Sequence, residues 1–178
     1  MLDMRTVLTI YVTAAFTLTA CGDDPHDTMA PSPDATTTVR IEPKRGIAGV
    51  RLKMTRDRML HMLGEPRRSR PSTLHMGWNE WLYRRNELGV TFDSTGHVWN
   101  VWTSSPGARA SGGVGIGSTE RELLEVMPAL DCHPYGGSAE HRRWRSCADT
   151  ADYRTPFTDF TLVSGRVARV TVARGLAR

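Results

Sequence analysis

One stretch of this chain occurs twice. GVRLKMTRDRMLHMLG, from Gly49 to Gly64, returns in altered form as GVGIGSTERELLEVMP, from Gly113 to Pro128. Gly49 aligns with Gly113, Val50 with Val114, Leu52 with Ile116, Thr55 with Thr119, and Met59-Leu60 with Leu123-Leu124. Internal similarity of this kind predicts two similar structural units. In a chain of 178 residues each half buries too little surface to be comfortable alone, so the halves are expected to share a core.

Each copy reads as a short helix with a marked start. A Thr hydroxyl accepts from an orphan backbone N–H of the first turn, and Thr119 with Glu122 makes the T-x-x-E capping box, which the first copy lacks because Arg58 stands at that place. Met59, Leu60 and Leu63, and in the second copy Leu123, Leu124 and Met127, recur at helical spacing and predict one apolar stripe per helix, read as core packing. Gly64 with Pro66, and Pro128, end the two helices.

Strand-like text follows each helix. After a basic, Pro-bearing loop over 67–73 come Trp78 to Tyr83, Leu88 to Phe92 and His97 to Thr103, with Asp93-Ser94-Thr95-Gly96 as a tight turn. In the second half a loop holds Cys132, His141 to Ala148 takes the place of the opening strand, and Phe157–Val163 with Arg166–Arg174 forms a hairpin around Ser164-Gly165. The expectation is an α+β fold: a tandem repeat of a short helix on a three-stranded antiparallel meander, with the two units sharing or abutting their sheets. Its boundaries are a leader over 1–20, a tether over 21–38, a first unit over 39–103, a linker over 104–112 and a second unit over 113–178.

The leader has Arg5 followed by an apolar run, Val7 to Thr19, which is short for a membrane span. The acidic Asp3 is out of place in such a leader, and initiation at Met4 removes it. Leu18-Thr19-Ala20-Cys21 resembles the bacterial lipoprotein signal at every place of its box. That resemblance implies cleavage before Cys21 and acyl chains, palmitate among them, on Cys21, with an ordinary secretory leader as the alternative. It also implies membrane attachment through the lipid, and Gly22 after the cysteine points by the same resemblance to the outer membrane of a two-membrane host. From Gly22 to Thr38 the chain is rich in Asp, Pro, Ser and Thr, the composition of a flexible tether.

With Cys21 committed to lipid, Cys132 and Cys147 remain as a pair, and cysteine pairs in exported chains are usually disulfides. A metal site from Cys132, His133 and Cys147 is the competing reading, although adjacent ligands without a C-x-x-C are a poor zinc pattern. From Arg40 onward 22 Lys and Arg stand against 14 Asp and Glu, a net +8. Lys44 and Lys53 are the only lysines among them, so a genome that favours Arg explains much of the excess. Attraction to anionic envelope polymer or lipid headgroups through Arg67, Arg68 and Arg70, Arg84 and Arg85, or Arg142, Arg143 and Arg145 is the functional alternative. Nucleic acid is not an expected partner of an exported protein.

Gly49-Val50, Met54-Thr55, Leu63-Gly64-Glu65-Pro66, Trp81-x-Tyr83, Val90-x-Phe92-Asp93 and Gly96-His97-Val98 together resemble the SmpA/OmlA-type lipoprotein domain, a family that includes the small lipoprotein of the outer-membrane β-barrel assembly machinery. The tandem arrangement also resembles the fold of the β-lactamase inhibitory protein. The second half keeps Gly113, Thr119 and Gly165 but has no W-x-Y. The resemblance implies a non-enzymatic envelope protein that binds another protein, and no contact residue is carried over from it.

A search for chemistry finds no converging set. His61, His75, His97, His133 and His141 show no helix-face pairing, and no serine sits in a nucleophile elbow. The glycines from Gly112 to Gly117 precede a helix but lack the Lys-Ser/Thr ending of a phosphate loop. Glu80, Asp93 and Glu122 carry no glycosidase signature. No cofactor, metal or catalytic residue is therefore predicted, and an unrecognised surface hydrolase is the remaining alternative. The surplus is aromatic. If Trp81 and Tyr83 face the helices, Leu82 and Arg84 face outward, and Trp99 has the opposite parity to Val98. Trp78, Leu82, Arg84, Trp99 and Trp102 are the candidate binding face, because exposed Trp and Arg give large contact areas to a partner. The alternative is that the tryptophans fill the junction between the units.

Overall fold

A computed structural model of the protein describes residues 38–73, 77–135, 143–150 and 152–175. The alternation of Val39 and Ile41, both buried, with exposed Arg40 makes β1 (Val39–Glu42), the spine of a small sheet. It pairs antiparallel with β2 (Gly46–Ile47), which pairs with β3 (Val50–Arg51), and parallel with β8 (Ala108–Arg109), in the order β3-β2-β1-β8. β8 lies inside the segment read as a linker.

The large sheet holds eight antiparallel strands: β4 (Arg68–Pro71), β5 (Asn79–Tyr83), β6 (Leu88–Phe92), β7 (Val98–Thr103), β9 (Asp131–Pro134), β10 (Trp144–Ala148), β11 (Phe157–Val163) and β12 (Arg166–Ala173). Their order is β4-β5-β6-β7-β12-β11-β10-β9, so the strands that follow each helix most directly lie at the two edges. Two α-helices are present among the described residues, α1 (Arg56–Leu63) and α2 (Glu120–Val126). Thr55 caps α1 by accepting from the Arg58 N–H at 3.3 Å. Thr119 and Glu122 complete both bonds of the capping box on α2, at 3.2 and 2.8 Å.

This architecture corrects the expected fold class. The described chain is mostly strand, in sheets of four and eight, and its helices are eight and seven residues long; it is not a helix-on-three-stranded-meander repeat of α+β type. The physical reason lies at the edges. All four residues of β4 are exposed, and β9 has only Cys132 partly covered, so neither shows the apolar alternation that marks a strand in sequence. Both were read as loops. Over 39–51 the loose alternation of the sequence allows an edge strand or an irregular lead-in, and the structure has three strands there, two of them only two residues long and too short to show a period.

Met59 and Leu123, one from each helix, are wholly buried in a single core with Val90, Phe92, Val98, Val101, Phe160, Leu162 and Val170. β2 and β3 pack over β7, and β2 also meets β12, so the small sheet covers the middle of the large one. Tyr83 points into this core. Its hydroxyl has no hydrogen-bond partner among the described residues, and burial, then the charge of Glu65, pushes its pKa up to about 12. Helices and small sheet thus occupy one face of the large sheet, and among the described residues no element covers the opposite face.

The two sheet edges are fastened differently. Cys132 and Cys147 stand directly opposite each other on β9 and β10 and form a disulfide. On the other edge, Arg70 of β4 forms an ion pair with Glu80 of β5, also its direct cross-strand partner.

Candidate functional site

Because successive side chains of a strand point to opposite faces, the residues between the core positions converge on the open face. There they line a groove of about 680 Å³. Every strand of the large sheet contributes: Arg70, Glu80, Thr91, Trp102, Thr171, Asp159, Ser146 and His133 come from eight different strands. A bulge in β7 opposite Thr91 and Phe92 turns Trp99 and Asn100 both toward the groove while Val98 and Val101 stay in the core.

One half of the groove is a stack. Trp102 lies opposite Gly89 of β6, and a Cβ at Gly89 would sit 2.1 Å from Cε2 of the indole, so only glycine lets the ring lie flat on the sheet. The indole Nε1–H donates to Glu80 Oε1 at 3.1 Å. The other Glu80 oxygen accepts from Arg70 Nε at 2.6 Å and pairs with Arg70 Nη2 at 2.6 Å. On the exposed side of the ring the Arg169 guanidinium lies 4.4 Å from the indole centroid, a cation–π contact. Trp102 is therefore held by a hydrogen bond at its edge, by backbone below and by an arginine above.

The other half is a hydroxyl network around a carboxylate. Asp159 accepts from the Ser146 hydroxyl through one oxygen and from the Thr161 hydroxyl, at 2.9 Å, through the other. Burial pushes its pKa up, opposed by those two hydrogen bonds and by the nearby His133, while Asp149 adds to the rise. Tyr153 stands at the same end with its ring 4.9 Å from Phe157, edge to face. Burial, then the charges of Asp159 and Asp131, raises its pKa against a hydrogen bond with Ser146. Between the halves, Asn100 is 6% exposed and its Oδ1 has no hydrogen-bond partner among the described residues.

Of the five residues read as a binding face, Trp99 and Trp102 line the groove. Trp78 packs on Trp99, ring centroids 4.9 Å apart at 53°, and so backs the groove wall. Leu82 is half-buried opposite Gly89, and Arg84 is exposed past the end of β5, outside the groove lining. Trp81 faces the core, 4.6 Å from Phe92, and Trp144 packs edge to face on Tyr135. The sequence offers Arg70 only as part of a basic cluster for anionic polymer, whereas the structure pairs it with Glu80, and Asn100, Asp159 and Arg169 were not found from the sequence. The signal for Asn100 was its period-two spacing from Trp102, and for Asp159 its alternation with Phe160.

The metal alternative fails on geometry. The sulfurs of Cys132 and Cys147 are bonded to each other, and Glu120 lies beside them with ligand atoms within 4.8 Å but meets no free thiolate. His133 projects to the groove instead. Cys21, His75, His141 and Arg142 lie outside the described residues. No described helix is long and apolar enough to cross a membrane.

No family model matches the chain, and no curated protein matches it. Its fold is similar to part of an extracellular protein containing a SCP domain from Bacillus anthracis, with a TM-score of 0.51 and 12% identity over 69% of this chain. The match spans 44% of that protein's length. Weaker matches are the uncharacterized protein yfeY from Escherichia coli (TM-score 0.49, 15% identity, 78% of this chain and 100% of that one) and a DUF4309 family protein, YjgB, from Bacillus subtilis (0.47, 13%, 71% and 82%). At these identities the first match shows a shared architecture and nothing of activity, and the others add nothing to it.

Proposed function

We propose that the protein is a non-catalytic binding module of the bacterial cell envelope, anchored by lipid on Cys21, whose open sheet face receives a protein partner. The observation that carries this reading is the groove to which all eight strands contribute, with a tryptophan and an arginine held in place before any ligand arrives. Residues of these types dominate binding energy when they are large, rigid and preorganised. The envelope address rests on the leader and its cysteine box, and the Cys132–Cys147 disulfide accords with an oxidising compartment.

Two experiments test it. A photo-crosslinking residue at Thr171, on the groove floor, is expected to give one discrete protein adduct in native envelopes, whereas the same residue at Arg58 on α1 gives none. Equal adducts from both sites, or adducts lost whenever salt is raised, would favour general electrostatic adhesion over a docking groove. Labelling cells with an alkyne fatty acid is expected to tag the wild type and not Cys21→Ser, and an unlabelled wild type would remove the anchor from the proposal.

A further inference from the structure

The groove holds two arginines, Arg70 and Arg169, and two carboxylates, Glu80 and Asp159, but they are not paired one to one. Arg70 is neutralised by Glu80, and both carboxylate oxygens of Asp159 are taken by Ser146 and Thr161. Arg169 forms none of the ion pairs among the described residues. Its guanidinium carbon lies 4.4 Å from the centroid of the Trp102 ring, and its five N–H donors meet no carboxylate in those ion pairs. Asn100 is the next groove-facing residue along β7 from Trp102, and its buried Oδ1 is an acceptor that finds no donor. A buried acceptor without a donor is costly, and the cost is recovered when a ligand supplies an N–H.

The geometry points to an acidic peptide segment as the occupant of this groove: a partner's Asp or Glu carboxylate forked on Arg169, with a backbone N–H of the same loop donated to Asn100 Oδ1. The inference rests on the groove being a protein-binding site and specifies the partner's chemistry. A carboxylate alone satisfies Arg169 and not Asn100, while a cationic side chain satisfies Asn100 and meets an arginine that no described carboxylate neutralises. A peptide carries an acceptor at its acidic side chain and a donor at each backbone amide, so it satisfies both. The cation–π contact with Trp102 holds the guanidinium over the ring, so less rotamer freedom is left to lose when the bidentate pair forms.

The test uses the whole mature chain and a phage library of disulfide-closed random loops, with affinities of the enriched peptides read by tryptophan fluorescence. Loops selected on the wild type and displaced by Trp102→Ala are expected to share an Asp or Glu. Arg169→Gln should weaken them about thirtyfold, the hot-spot scale. Arg169→Lys should lose an intermediate amount, because charge remains and the fork does not. Asn100→Ala should lose several-fold, while Arg58→Gln on α1 changes nothing. Arg169 is exposed, so its variants are expected to fold, and their unfolding midpoints are checked alongside. Trp102-dependent loops without an acid, or with affinity indifferent to Arg169→Gln, would overturn the acidic assignment and leave the groove reading standing. A library that yields no Trp102-dependent loop would overturn both.

Discussion

The two edges of the large sheet solve the same problem by different chemistry. β9 is fastened to β10 by a covalent bridge between Cys132 and Cys147, on the side of the core, while β4 is fastened to β5 by the Arg70–Glu80 ion pair, on the side of the groove. The covalent tie is blind to salt and pH and fails only by reduction. The ionic tie also positions Trp102, because Glu80 holds both the arginine and the indole. One edge is built for permanence, and the other couples the strand pairing directly to the shape of the groove floor.

That contrast can be broken most forcefully at the disulfide. Replacing Cys132 and Cys147 together by Ser is expected to cost about 3 kcal/mol of stability, from the chain entropy of the opened loop. Hydrogen exchange should quicken in β9 and β10 while β4 and β5 keep their protection. Loss of protection across the whole sheet would mean that the edges are not independent.

Gly89→Ala comes next, at about 2 kcal/mol, because the added methyl must push Trp102 off the sheet. Urea melts give the energy and a red-shifted tryptophan emission gives the displacement, and an unshifted spectrum would show that the ring has another resting place. Glu80→Gln is expected to cost only about 1 kcal/mol, since Arg70 is partly solvated. It should shift the same fluorescence as Gly89→Ala and remove most of the salt dependence of that signal. A stability loss without a fluorescence change would separate the strand tie from the indole.

The smallest effect is expected at Asp159, on the disulfide-bound side. Its pKa is raised in the folded state, so the folded protein holds that proton more tightly than the unfolded chain, whose Asp titrates near about 3.9. Its contribution to stability is complete below that unfolded value and is lost as pH rises through the folded one. Asp159→Asn, which keeps an acceptor for Ser146 and removes the charge, should therefore stabilise the protein by a few tenths to about 1 kcal/mol at pH 7. The gain should shrink toward pH 4. Asp93 offers the opposite sign: burial raises its pKa, but the Thr95 hydroxyl, the His97 and Thr95 N–H groups and Arg174 together hold it below the usual range. Its contribution is present above the unfolded pKa and fades as acid approaches the folded one.

Short-range pattern explains what could be read without coordinates. The capped starts at Thr55 and Thr119 and the stripes through Met59 and Leu123 are local signals, and the structure contains both helices. The parity that set Trp99 apart from Val98 is local too, but Trp102 shares the parity of Val98 and meets Trp99 on one face only through the bulge in β7, which a period-two pattern does not foresee. β4 was invisible because an edge strand with Arg68, Ser69, Arg70 and Pro71 has no buried face to announce it. The groove's working contacts were hidden for another reason. Trp102 finds Glu80 across 22 residues of chain, and Arg169 reaches Trp102 only because β12 lies beside β7, a neighbourhood that no spacing encodes.

β1 sits between an antiparallel neighbour, β2, and a parallel one, β8, with Val39 and Ile41 buried beneath. Any pull on the polypeptide where it enters the fold is therefore taken along an interior strand, hydrogen-bonded on both flanks, instead of peeling a hairpin open from its rim. Under the proposed anchor, load along the tether would reach the small sheet first, on the side of the large sheet away from the groove.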